Sequence, residues 1–367
     1  MTTALRSTRL LNVVNDYERV LVVTHDNPDP DAIASGWGVC WLIQEKLGKP
    51  ARLIGGGVIV RAENRHMVKL LAPPIELTDV LEVDERTATV LVDCSSTMSN
   101  HLLSECGIQP IAVIDHHQIE SPRPRVAFRD IRPRVAASAT IVASYLKEQH
   151  LVPPSGLATA MLYGIHTETQ GSETHYTPLD RRIVTWLVKF ADPGKLAEIE
   201  NAPLTREYFS DLVLALQSAF IYDEAVICFL PRAAGPETVG EVADLLSRCE
   251  GVQKVLCGAV VADELFVSVR TGRDGGNAAE LVRKMLDGIG LSGGHEHRAG
   301  GKIRLPHATL AGGQLTDELH NRWLSACGGD RQRGTHLVAR RDIVKNLTSH
   351  IDIAKTCPTG ATTINGG

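Results

Sequence analysis

The side chains best suited to holding a cation lie in Thr24-His25-Asp26-Asn27-Pro28-Asp29-Pro30-Asp31, where one imidazole and three carboxylates fall within seven residues. Carboxylate oxygens suit hard divalent cations, and imidazole suits the transition metals, Mn²⁺ included. Asp and Asn are equally ordinary turn and N-cap residues, so this stretch alone leaves both readings open. Two later segments narrow the choice. Thr89-Val90-Leu91-Val92 runs into Asp93, and Ile111-Ala112-Val113-Ile114 runs into Asp115-His116-His117. One apolar strand ending in metal-ligand residues is common; three are hard to attribute to turn chemistry.

Each of these endings needs a strand to carry it. Val20-Leu21-Val22-Val23, just before the first cluster, is an apolar β-branched run of the kind that forms a buried strand, and Ile33 to Leu47 after it reads as a largely buried helix. Strand, polar turn and helix together place side chains at the carboxyl edge of a parallel sheet, where open α/β folds hold their ligands. Parallel neighbouring strands would bring all three endings together. The 367 residues exceed what one core normally supports, so two domains are expected. The fold class is α/β: a mainly parallel sheet flanked by helices, then a smaller C-terminal α/β domain.

With His25-x-Asn27-Pro28-Asp29-x-Asp31 upstream of Asp115-His116-His117, the chain resembles the DHH phosphoesterase superfamily. Downstream, Gly293-Gly294-His295-Glu296-His297-Arg298-Ala299-Gly300-Gly301 is similar to the glycine-rich GGGHxxAAG motif of the DHHA1 substrate-binding domain. Ser268-Val269-Arg270 matches the Ser-x-Arg at the end of a DHHA1 strand. The pair of domains looks most like the nanoRNase/pAp-phosphatase branch, and the resemblance covers roughly residues 15 to 305.

That resemblance implies two Mn²⁺ ions per site. Carried over position by position, His25, Asp29 and Asp93 would hold one, and Asp31, Asp93, His116 and Glu168 the other, with Asp93 bridging. Asp115 would orient a histidine of the Asp-His-His set, and His117 would face the substrate phosphate, so that Asp93, Asp115, His116 and His117 form the catalytic group. Glu168 departs from the family, which has Asp in a Thr-Asp-Thr-Gly at this place; here Gln170 also separates Thr169 from Gly171. His166 and His175 are alternative ligands nearby, more simply read as core or surface histidines. Ser268, Arg270, Gly293, Gly294, His295 and Arg298 would bind the substrate's terminal phosphate.

The implied activity is Mn²⁺-dependent hydrolysis of short oligoribonucleotides and linear dinucleotides to 5′-mononucleotides, with pAp as a further substrate. The alternatives are a metal- or nucleotide-binding sensor that has lost catalysis, with Glu168 as its mark, and a RecJ-like single-strand DNA exonuclease. A family II pyrophosphatase shares the first motifs, but Gly293 to Gly301 argues against it. Composition agrees with a small anionic substrate. Lys+Arg number 38 against Asp+Glu 43, a formal net charge of −5, which disfavours a groove for long nucleic acid. Aromatic content of 4% disfavours binding by base stacking. The eight cysteines contain no Cys-x-x-Cys pair and read as reduced residues. No apolar run approaches ~18 residues, and no apolar segment with a cleavage site follows the N-terminus, so a cytoplasmic protein with no membrane span is expected. A homodimer is expected by analogy with the family.

The expected organisation is a DHH domain over residues 1–190, a helical linker over 191–215, a DHHA1 domain over 216–306 and a partly disordered extension over 307–367. Within it, Gly55-Gly56-Gly57 reads as a flexible turn and Ser121 to Arg134, with five Arg, as a solvated charged loop. The small residues from Ala136 to Ile141 open a helix that would pack beneath the metal site, and a second helix is expected over Leu157 to Gly164. Val255 to Ala262 and Leu265 to Val269 form an expected hairpin, and helices are expected at Thr316 to Leu324 and Val338 to Leu347.

Overall fold

Three of the apolar runs named above are neighbouring strands. The computed structural model describes residues 4–95, 100–117, 126–169, 176–231, 233–294, 296–305, 314–330 and 333–339, with Arg341 and Lys345. It falls into two compact units, Met1–Leu204 and Thr205–Gly367.

The first unit runs α1 (Arg6–Val14), β1 (Arg19–Val23), α2 (Pro30–Leu47), β2 (Ala51–Gly55), α3 (Ala62–Leu71), β3 (Ile75–Leu77), β4 (Thr87–Val92), α4 (Leu102–Glu105), β5 (Ala112–Asp115), β6 (Phe128–Ile131), α5 (Ser138–Glu148), α6 (Ser155–Thr169), α7 (Pro178–Leu187) and α8 (Pro193–Glu200). Among the described residues six strands pair in parallel in the order β3-β2-β1-β4-β5-β6. The chain builds outward from β1 through β2 to β3, then returns to lay β4 on the other side of β1. The carboxyl ends of β1 and β4 are therefore a switch point of strand order, where a crevice opens in folds of this kind. Alternate residues of the central strands enter different cores. Val20, Val22, Val90, Val92 and Ile114 join the helices α2, α5 and α6, while Leu21, Val23, Leu91 and Val113 pack with Leu102 and Leu103. Burial on both faces explains why these strands read as unbroken apolar runs.

The second unit runs α9 (Arg206–Ser218), β7 (Ala219–Tyr222), β8 (Ala225–Phe229), α10 (Pro236–Leu246), β9 (Lys254–Val261), β10 (Glu264–Thr271), α11 (Ala278–Leu286), β11 (Leu291–Gly294), β12 (Arg298–Arg304), α12 (Gln314–Cys327) and β13 (Thr335–His336). Its described strands form a mixed sheet, β11-β12-β10-β9-β8-β7-β13, with β8 and β9 parallel and the other pairs antiparallel. The expected hairpin is β9–β10, turning through Ala262 in left-handed backbone (φ 52°).

Several expectations change. Residues 191–215 divide between the units: α8 packs on α3 and α6, and α9 packs on β8. The second core does not stop at residue 306, because α12 buries Leu319, Trp323 and Leu324 in it and β13 pairs with β7. The Arg-rich stretch contains strand β6, whose Asp130 takes the Arg132 guanidinium and the Tyr145 hydroxyl. The helix expected to end at Gly164 continues through Thr169, so Glu168 lies in its last turn. Much of Val338–Leu347, and the end of the extension, lie outside the described residues. No described helix is long and apolar enough to cross a membrane.

Candidate metal centre

The loop from β1 to α2 carries His25, Asp29 and Asp31. Asp29 is the N-cap of α2: its Oδ1 accepts from the Ala32 N–H at 2.9 Å, and Pro30 follows at the first helical position. The capping and ligand readings hold together, because the other oxygen, Oδ2, lies 3.9 Å from His25 Nε2. His25 Nδ1 sits 2.8 Å from the Asp26 carbonyl, an acceptor, so the ring carries its proton there and turns Nε2 toward the carboxylates. The three glycines are a seat for this loop rather than a flexible turn. A Cβ at Gly55 would stand 2.5 Å from Thr24 Oγ1 and one at Gly57 2.5 Å from Asn27 Oδ1, and Gly56 is pressed against Asp26. Asn27 itself is left-handed (φ 54°), and its side chain accepts from the Val58 N–H.

Asp93 leaves β4 in left-handed backbone (φ 55°), a conformation Asp tolerates better than most residues and one that gathers at functional sites. Its two oxygens face opposite ways. Oδ2 lies 3.7 Å from His25 Nε2, and Oδ1 lies 3.5 Å from His116 Nε2 and 3.8 Å from His117 Nδ1. His116 Nε2 is also 3.8 Å from Asp31 Oδ2. These separations are too long for hydrogen bonds. They match ligand atoms that each stand ~2.1 Å from a shared ion, and so roughly 3–4 Å from one another. Two groups, His25-Asp29-Asp93 and Asp93-His116-His117, each converge within 4.8 Å, and they meet at Asp93. The donor set, imidazole nitrogen with carboxylate oxygen, fits a transition cation of the Mn²⁺ kind.

Asp115 holds His117 in place: its Oδ1 accepts from the His117 backbone N–H at 3.0 Å and lies 2.7 Å from the ring Nδ1. It thus orients the second histidine of the Asp-His-His set. Asp31 is fully buried, and its oxygens accept from the Ser138 and Ala139 N–H groups at the start of α5, both at 2.7 Å. Glu168 reaches this end of the site because Gly164, one turn earlier on the same face of α6, lets the helix close on α2. A Cβ there would stand 3.0 Å from the Pro30 carbonyl and Asp31 Cα. Glu168 is half-buried and raises both the Asp31 carboxyl and the His117 imidazole in pKa.

The charge state of these side chains follows from this crowding. Burial draws the His25 imidazole down, but facing Asp93 and Asp29 outweigh it and lift the group to about 9. Burial likewise opposes protonation of His117, and Asp115, Asp93 and Glu168 lift it to about 10. Asp31 is pushed well above the usual carboxylate range by burial first, then by Asp93, Glu168 and Asp29, and Asp93 is raised chiefly by burial. Protons compensate clustered negative charge that a cation could compensate instead.

In the second unit, strand register assembles the sequence-distant motifs. Arg270 on β10 pairs directly with Arg298 on β12, Ser268 with Gly300, and Gly300 in turn with Gly293 on the exposed strand β11. Gly294 has φ 141°, and a Cβ there would meet the Arg298 carbonyl at 2.5 Å. Like charges directly opposite across a sheet repel. Asp244 on α10 offsets this: its Oδ1 accepts from Arg270 Nε at 2.5 Å and Arg298 Nη2 at 3.3 Å. Arg270 also donates to Ser268 Oγ at 2.7 Å. His295 lies outside the described residues, as do Gln170, Gly171 and His175, while His166 faces Glu200 at 3.1 Å. The seven described cysteines carry free thiols.

Sequence reasoning missed Asp244, which carries no motif signal, and the polar contacts of Ser138, where the small-residue helix start suggested packing alone.

Residues 19–165 match the DHH family, N-terminal domain. Over 287 residues the chain is 31% identical to an uncharacterized protein of Methanocaldococcus jannaschii, covering 78% of this chain and 58% of that one. It is 26% identical over 185 residues to a probable manganese-dependent inorganic pyrophosphatase of Streptococcus suis, covering 47% of this chain and 56% of the relative. The chain thus spans little more than half the length of these two curated relatives. Among solved structures, an exopolyphosphatase-related protein from Bacteroides fragilis shares the fold with a TM-score of 0.67 at 14% identity, over 88% of this chain and 97% of that one. RecJ in complex with Mn²⁺ from Thermus thermophilus shares it with a TM-score of 0.51 at 16% identity, over 88% of this chain and 54% of RecJ.

Proposed function

We propose that this protein is a two-Mn²⁺ phosphohydrolase that cleaves short oligoribonucleotides and linear dinucleotides to 5′-mononucleotides, with pAp as a further substrate. The observation that carries this reading is Asp93, a single carboxylate with one oxygen toward His25 and the other toward His116 and His117. A carboxylate shared in this way would hold two cations side by side, and the pair would supply Lewis acidity and positive charge to a phosphate group. The histidines are already oriented for that chemistry, since the Asp26 carbonyl fixes the His25 tautomer and Asp115 fixes the His117 ring. Arg270 and Arg298 offer guanidinium donors for a terminal phosphate, a charge-assisted contact that favours short, end-held substrates. The net charge of −5 fits the same preference.

A second reading, hydrolysis of the phosphoanhydride of pyrophosphate, is favoured by the resemblance to proteins named as manganese-dependent pyrophosphatases. A Mn²⁺-supplemented panel read by chromatography separates the two: pApA, pGpG, a five-residue RNA, long single-stranded DNA, pAp and pyrophosphate. Mononucleotides released from the short RNAs support the first reading. Consumption of pyrophosphate alone supports the second, and consumption of long DNA alone overturns both.

A further inference from the structure

Ser138, the first residue of α5, is fully buried and touches both carboxylates beside His116. Its backbone N–H donates to Asp31 Oδ2 at 2.7 Å and its hydroxyl donates to Asp93 Oδ1 at 2.8 Å. These are the two oxygens that His116 Nε2 faces, at 3.8 and 3.5 Å. His116 and Ser138 therefore address the same pair of acceptor atoms, one offering a ring nitrogen and the other two donors from a single residue. The Asp93 oxygen toward His25 is the other one, Oδ2.

We propose that Ser138 is a positioning residue for the cation half-site made by Asp31, Asp93 and His116, its hydroxyl fixing the span between Asp31 Oδ2 and Asp93 Oδ1. Each carboxylate oxygen has two lone pairs, so accepting one hydrogen bond leaves the second for a cation while removing the side chain's freedom to rotate. Asp31 is already tied by two backbone N–H groups; Asp93 depends on the hydroxyl for the matching restraint. The chain just before α5 is braced as well, since the Ala136 N–H donates to Asp180, the buried capping residue of α7. Ser138 thus stands on a fixed backbone, and its hydroxyl transmits that rigidity to Asp93 Oδ1, the oxygen of the half-site that contains His116.

This inference rests on the two-cation reading, and its test keeps the two apart. Mn²⁺ is titrated into the full chain, followed by electron paramagnetic resonance and calorimetry, with circular dichroism reporting the metal-free fold. The wild type is expected to bind two ions. Ser138→Ala is expected to weaken one site by about 10- to 100-fold and leave the other within a few-fold, as for other hydrogen-bonding supports of metal ligands. Ser138→Thr, which keeps the hydroxyl, is expected to restore the weakened site. Wild-type affinity at both sites in Ser138→Ala, equal weakening of both, or a folded Ser138→Thr that also loses the site overturns the inference and leaves the two-cation reading standing. A wild type that takes up no Mn²⁺ removes that reading and this inference with it.

Discussion

The two units handle charge in opposite ways. In the first, Asp29, Asp31 and Asp93 converge with His25, His116 and His117, and no Lys or Arg ion pair to these carboxylates is found among the described residues. In the second, two arginines face each other across a strand pair and one carboxylate, Asp244, holds both. A parallel sheet with both faces covered lets several strand ends deliver like charges to one point, and the resulting repulsion is a need for a cation. An antiparallel strand pair with a helix over it neutralises its charges internally and retains the geometry of the donors. The first cluster leaves its negative charge for protons or a cation to compensate, whereas the second carries its own counter-charge.

The most direct way to break this contrast is Asp93→Ala. Removing the shared carboxylate should abolish uptake of both Mn²⁺ ions and lower turnover by at least about 10³-fold, the scale of several kcal/mol of transition-state stabilisation. Metal analysis beside activity checks it, and a variant that still binds two ions refutes the bridging role.

The second unit should respond more mildly. Arg270→Ala is expected to raise KM by roughly 10- to 100-fold for substrates with a terminal phosphate, the loss of a charged hydrogen bond or two, with kcat nearly unchanged. Asp244→Asn, which keeps an acceptor for Arg270 but removes the neutralising charge, should lower KM for the same substrates. An equal change for substrates lacking the terminal phosphate counts against a role in end-holding.

Acid and base sharpen the first half of the comparison. His25 and His117 hold their protons in the folded state up to about 9 and about 10, against 6.5 for the unfolded groups. Their stabilisation is complete below about pH 6.5 and is lost as the pH rises through 9 to 10; the raised Asp31 and Asp93 carboxyls act with the same sign. The metal-free protein should therefore melt several degrees lower at pH 9.5 than at pH 6.5, and saturating Mn²⁺ should remove most of that difference. A metal-free melting temperature that rises with pH would contradict the assigned charge states.

The smallest effect is expected from Glu168→Asp. Glu168 lies one turn beyond the close approach at Gly164, so a carboxylate shorter by one methylene should keep Mn²⁺ binding and change turnover within about 10-fold. Full loss of the second ion would show that the longer side chain is required.

Much of the first site was legible in the sequence because strands report themselves locally. An unbroken apolar run ending in Asp or His marks the edge of a doubly covered sheet, and β1, β4 and β5 are indeed adjacent. The glycines were misread for the opposite reason. Gly55 to Gly57 look like any flexible turn until Thr24, Asp26 and Asn27 are seen against them, and Gly164 looks like a helix end until α2 is seen beside it. A missing Cβ declares only that something approaches; what approaches is decided by chain far away in sequence.

The sequence alone determined the donor types, the order of the strands that bear them and the class of chemistry, since side-chain identity and hydrophobic period are local quantities. Only the tertiary structure decided which Asp93 oxygen faces which histidine, that Ser138 stands between Asp31 and Asp93, and that Asp244 joins two arginines from different strands. Those are relations between residues tens to more than a hundred positions apart. They are set by sheet register and helix approach, to within fractions of an ångström that no local pattern encodes.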